Sequence, residues 1–188
     1  MKNQNLMRLT ISGLLIAIGL IIPMFSPLKI VLEPASFTLA SHVVIFIAMF
    51  ISPAMAVSVA LGTTLGFFLG GFPIIVVLRA STHVLFALAG AYYLHKISKK
   101  RLPTARLRLF SLCIAAIHAL GELVVVSIFY FGGNISPAHL EQGFIMSVLL
   151  LVGLGTVIHS MIDFEISRII ILPLKNQKNL QGILKNLR

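Results

Sequence analysis

The sequence predicts an all-α integral membrane protein: one six-helix bundle spanning residues 1–188, with both termini on the cytoplasmic side. Three observations carry that expectation. Apolar residues (AVILMFWYC) make up 58% of the chain and charged residues only 11%, whereas soluble domains carry about 25% charge. The apolar residues gather into stretches of the length that crosses a bilayer core, about 20 helical residues for about 30 Å. Finally, thirteen of the fifteen Lys and Arg fall in three clusters that an even number of crossings puts on one side, the side that the positive-inside rule makes cytoplasmic.

The stretches lie at about 8–25, 37–51, 54–72, 75–95, 107–131 and 143–172. Lys2 and Arg8 precede the first, which resembles a signal peptide until the cleavage site is sought. No small-residue site follows, so it reads as a retained helix. Pro27 and Pro34 close it off from the second stretch, the shortest, for which a re-entrant segment is the alternative. Ser52-Pro53 and Gly70-Gly71-Phe72-Pro73 bound the third. The fourth ends at the basic run 96–108, and Gly132-Gly133-Asn134 to Pro137 separates the fifth from the sixth. The tail 173–188 is basic with scattered Leu and Ile, a solvated end or a short interfacial helix.

The same numbers exclude other classes. Disorder needs low hydrophobicity and high charge. The lone Cys113 makes no intrachain disulfide. The net charge of +10 would suggest nucleic acid in a soluble protein, but here it marks topology, and no nucleic-acid partner is expected.

Helices in lipid approach one another through small residues. The third stretch carries Ser52, Ala56, Ala60, Thr64 and Gly62, Gly66, Gly70, which read as internal packing. The first carries Gly13 and Ala17 at i, i+4, a patch suited to a partner helix if that span sits at the bundle edge.

Ionisable groups inside a bilayer cost on the order of 2.5–3.5 kcal/mol each on insertion scales and are functional candidates by default. Three i, i+4 pairs occur: Arg79 with His83, His118 with Glu122, and His159 with Asp163. Each pair shares a helix face, and the three faces are expected to converge inside the bundle. An outward-facing polar pocket follows from Ser41, His42, Arg79, His83, Glu122 and His118, with Asn134 at its rim. Lys29, Glu33 and His139 are candidates to cover it. His159 and Asp163 are expected nearer the cytoplasm, as a pair that locks packing. Arg79 offers a planar fork to a carboxylate, either a ligand's or that of Glu122.

The segments 34–53 (PASFTLASHVVIFIAMFISP), 61–73 (LGTTLGFFLGGFP) and 77–86 (VLRASTHVLF) resemble the substrate-binding S components of energy-coupling factor (ECF) transporters. The likeness extends over nearly the whole chain in length and span count. In that family an Ala-x-x-x-Ala motif on helix one contacts the transmembrane coupling subunit; Gly13-x-x-x-Ala17 stands at the matching positions, one letter different.

The resemblance implies a subunit in the cell membrane of a bacterium that takes a vitamin from outside and topples to deliver it inward. Its partners would be a coupling protein and two cytoplasmic ATPases. No Gly-x-x-x-x-Gly-Lys-Ser/Thr loop occurs, so any ATP would be used by the partner subunits; the resemblance implies a transport subunit and no enzyme, with neither cofactor nor metal expected in this chain. The segments look most like the niacin-type group, with Arg79 facing a pyridine carboxylate. Hydroxymethylpyrimidine-type and pantothenate-type S components are the alternatives, the first placing Glu122 against an aminopyrimidine edge.

The reading from another class is an intramembrane metal-dependent hydrolase, with His118, Glu122, His159 and Asp163 around one ion. The sequence has neither a Glu-Glu pair nor a His-Glu-x-x-His run, and the expected difference in depth between the two pairs speaks against a single site.

Overall fold

A computed structural model describes residues 2–32, 34–97 and 103–174. Glu33 and the tail from 175 onward lie outside the described residues, as do Lys99, Lys100 and Arg101 of the basic run. The first helix, α1 (Lys2–Phe25), ends ahead of Pro27, whose missing N–H cannot continue the helical ladder. A hairpin follows, β1 (Lys29–Leu32) antiparallel to β2 (Ala35–Thr38), with Lys29 opposite Thr38 and Leu32 opposite Ala35. Then come α2 (Val43–Ile51), α3 (Pro53–Leu69), α4 (Ile74–Lys96) and α5 (Thr104–Phe131). A short α6 (Pro137–Glu141) leads to a π-helical segment, Ile145–Leu154, continuous with α7 (Gly155–Leu174).

Among the described residues four helices are long and apolar enough to cross a membrane: Gln4–Phe25, Ile74–Lys96, Thr104–Phe131 and the continuous run Ile145–Leu174. Their outward faces carry apolar side chains such as Leu120, Val124, Ile128 and Ile158, as a lipid solvent requires. The fifth apolar helix, Pro53–Leu69, is shorter.

The stretch 37–51 needs correction: its first residues are strand and turn, and only Val43–Ile51 is helical. Eight of those nine residues are buried. A helix that is apolar all round packs inside a protein or a bilayer, and this one is enclosed by α3, α4 and α7, where Phe46, Phe86, Phe110 and Phe164 form the core. Hydrophobicity alone does not distinguish an interior helix from a span; length does, and nine residues at about 1.5 Å each reach less than half the bilayer core.

Close packing of α1 on α3 depends on the glycine row. A Cβ at Gly62 would meet Ile16, and one at Gly66 would overlap Leu20; one at Gly13 would meet nothing within 4 Å. Gly66→Val is therefore expected to cost about 1–3 kcal/mol through overpacking, while Gly13→Ala stays within about 0.5 kcal/mol. Reversible unfolding in mixed detergent micelles measures both, and equal effects would overturn the assignment of Gly66 to the packed face.

Candidate functional site

A cavity of about 380 Å³ opens at the end of the bundle that carries the hairpin, within the size range of small-molecule sites. Its walls come from the end of α1, the hairpin, the starts of α2 and α4, the outer half of α5 and the start of α7. The hairpin is placed by α7. Asp163, fully buried, accepts the backbone N–H groups of Ala40 (2.8 Å) and His42 (2.9 Å). Ala40 holds φ at 69°, a conformation uncommon for a residue with a Cβ, and the carboxylate secures the donors on either side of that turn. Gly155 completes the fit: a Cβ there would collide with the Phe37 ring, which also packs beside His159 and on the cluster of Val126, Val148 and Val152.

One group of buried charges lies between α4 and α5. Arg79 donates from Nη2 to Glu122 Oε2 (2.9 Å) and from Nη1 to the carbonyl of Pro34 (3.1 Å), and Thr156 donates to the same Glu122 oxygen (2.6 Å). Both side chains of the pair are over 90% buried. The other carboxylate oxygen faces His118 Nε2 at 3.4 Å and His83 Nε2 at 3.5 Å. The Nε of Arg79, Nε2 of His83 and both ring nitrogens of His118 are buried without a hydrogen-bond partner. Orphaned buried polar atoms are rare in native proteins and call for a specific account.

Four imidazoles meet beside this pair. The His42 ring lies 4.6 Å from those of His83 and His118 and 5.0 Å from that of His159, in edge-to-face contacts. The expectation that His159 and Asp163 lie deeper, away from the outer pocket, is corrected here. His159 lines the cavity, and its Nε2 is 3.1 Å from His42 Nδ1. Two features bring them up. The π-helical turns before Gly155 bond i to i+5 and so advance less per residue than an α-helix. The hairpin carries His42 into the bundle, ahead of a short α2.

Of the residues the sequence singles out, Lys29, Ser41, His42, Arg79, His83, His118, Glu122 and Asn134 all line the cavity. Lys29 sits at its mouth over the Phe72 ring (5.9 Å). His139 is not on the wall; its carbonyl accepts the hydroxyl of Ser147 (2.7 Å) and ties α6 to the π-helical segment. Gly13 and Ala17 are exposed on α1. Sequence reasoning missed Thr156, Phe37 and the carbonyl of Pro34. A lone Thr in an apolar run gives no local signal, and a backbone carbonyl gives none at all.

Over 167 residues the chain is 41% identical to the niacin transporter NiaX of Lactococcus lactis subsp. cremoris (strain MG1363), covering 88% of this chain and 73% of that protein. No family model matches the chain, and no solved structure does.

Proposed function

The chain belongs to the family of the niacin transporter NiaX, the niacin-type S components, and from that premise we propose that it captures niacin in this cavity and passes it inward as part of an ECF importer. The observation that carries the reading is that Arg79 Nε and His118 Nδ1 are buried without a hydrogen-bond partner, while His83 Nε2 and His118 Nε2 have only the long approach of Glu122 Oε1 (3.5 and 3.4 Å), all in one pocket. Niacin offers two groups that satisfy them. Its carboxylate accepts from Arg79 Nε–H, which neither Glu122 nor Pro34 engages, and its ring nitrogen accepts from an imidazole N–H of His83 or His118. The Arg79–Glu122 pair is neutral as a unit, so it holds the guanidinium in place without cancelling the directional Nε–H donor.

Delivery belongs to the same proposal. The bundle has six segments with both termini cytoplasmic, α2 and α3 supplying the second and third. The exposed small patch at Gly13 and Ala17 receives the coupling protein, two ATPase subunits supply the energy, and the bundle topples to release its ligand.

Calorimetric titration of the full chain in detergent tests the capture step. Niacin is expected to bind at least about 10-fold more tightly than nicotinamide, because a hydrogen bond to a charged group contributes about 1.5–3 kcal/mol. Arg79→Lys, which keeps a cation beside Glu122 but removes Nε, is expected to weaken niacin by a similar factor. Equal binding of niacin and nicotinamide, or binding of hydroxymethylpyrimidine or pantothenate instead, would overturn the substrate. Gly13→Leu is expected to leave binding intact and abolish uptake in cells that supply the ATPase module.

A further inference from the structure

We propose that His42, His159 and Asp163 form a binding site for a zinc-like divalent transition-metal ion in the wall of the cavity. His42 Nδ1 lies 3.1 Å from His159 Nε2 and 3.2 Å from Asp163 Oδ2, and His159 Nε2 lies 3.4 Å from the same oxygen. Two donors on one tetrahedral zinc, with bonds near 2.0–2.1 Å, stand about 3.3 Å apart. The three atoms therefore already form one face of a coordination tetrahedron.

Hydrogen bonding alone accounts poorly for this crowding. Ser41 Oγ adds a further contact at 3.2 Å to each of the two imidazole nitrogens, so each has three polar neighbours. A ring nitrogen carries either one proton or one lone pair and serves one of them well. A cation at the centre serves all of the donors at once.

Charge points the same way. Two buried carboxylates, Glu122 and Asp163, stand against one buried guanidinium, Arg79. Arg79 is paired with Glu122, so Asp163 faces only imidazoles and backbone N–H groups, and its counter-charge has to come from a protonated imidazole or a bound cation.

The supporting shell is also present. Asp163 Oδ1 accepts from Ala40 N–H and Oδ2 from His42 N–H, which orients the carboxylate as outer-shell partners orient metal ligands. His42, His159 and Ser41 line the cavity, so an ion reaches the site from it. Two imidazoles and one carboxylate suit zinc, cobalt or nickel and not magnesium or calcium. The neighbouring group of His42, His83 and His118 includes no carboxylate, which makes it the weaker cage for a divalent cation. The site is inferred from these donor atoms alone and requires nothing of the vitamin.

The test uses the full chain without a polyhistidine tag, in detergent, stripped with chelator and titrated with Co²⁺. The expected result is one equivalent bound with the strong visible ligand-field absorption of tetrahedral cobalt, displaced by Zn²⁺. His159→Ala is expected to lose the bands and weaken binding at least tenfold, while His95→Ala keeps both. His159→Gln, close in polarity and reach, serves if the alanine variant aggregates. Failure of the wild-type chain to bind stoichiometric Co²⁺ would overturn the site outright. So would bands that persist in the His159 variants and vanish in His83→Ala.

Discussion

Replacing Glu122 with Gln is expected to lower folding stability by about 3–5 kcal/mol, the range seen when one partner of a buried ion pair is removed. The variant leaves the Arg79 guanidinium, 5% exposed, with uncharged acceptors alone, the Pro34 carbonyl and the new amide oxygen, and no counter-charge. It also weakens the acceptor for Thr156 Oγ1. The double replacement Arg79→Met with Glu122→Leu is expected to recover most of the loss, because an apolar pair of similar volume has no charge to desolvate. Niacin binding is expected to stay absent in the double variant. Unfolding in mixed micelles and calorimetry together separate the two roles. A stable Glu122→Gln protein would show that the pair contributes little to the fold, and a double variant that binds niacin would remove Arg79 from the site.

The second large effect is expected at Asp163. Its carboxylate accepts two backbone N–H groups at 2.8 and 2.9 Å from residues 123 and 121 positions away in the chain, and hydrogen bonds to charged acceptors contribute about 1.5–3 kcal/mol each. Asp163→Ala is expected to cost about 2–4 kcal/mol, since such contributions do not sum fully. The hairpin then loses its main tether to α7, and a two-stranded hairpin is marginal alone. Hydrogen exchange should report this locally: the amides of Ala40 and His42 become fast while those of α5 stay protected. Unchanged exchange at these two amides would show that packing of Phe37 against Gly155 and His159 holds the hairpin without the carboxylate. Asp163→Asn, which keeps an uncharged acceptor, should fall between.

Both effects rest on partners that no local pattern announces. The i, i+4 spacing of His118 with Glu122 and of His159 with Asp163 is visible in the chain, and the side chains do face the interior. What each carboxylate mainly holds is different. Glu122 serves Arg79 across two helices, and Asp163 serves the backbone of the turn that follows a hairpin whose strands are four residues each. Strands that short, one of them ending beside Glu33 and Pro34, carry too few positions for period-two alternation to stand out.

Composition and charge placement determined by themselves that this chain lives in a membrane, because lipid selects residue types before it selects any arrangement of them. Spacing likewise determined which ionisable residues turn inward, since an apolar solvent leaves them no other place. Only the tertiary structure decided that α2 is an enclosed short helix, that Arg79 is already paired, and that His42 and His159, 117 positions apart, meet at 3.1 Å. The physical reason is range. Burial and periodicity are properties of a segment, whereas a hydrogen-bond partner or a third donor to a site is chosen by packing between segments, through a hairpin, a run of π-helix and a few glycines whose missing Cβ atoms let the pieces close.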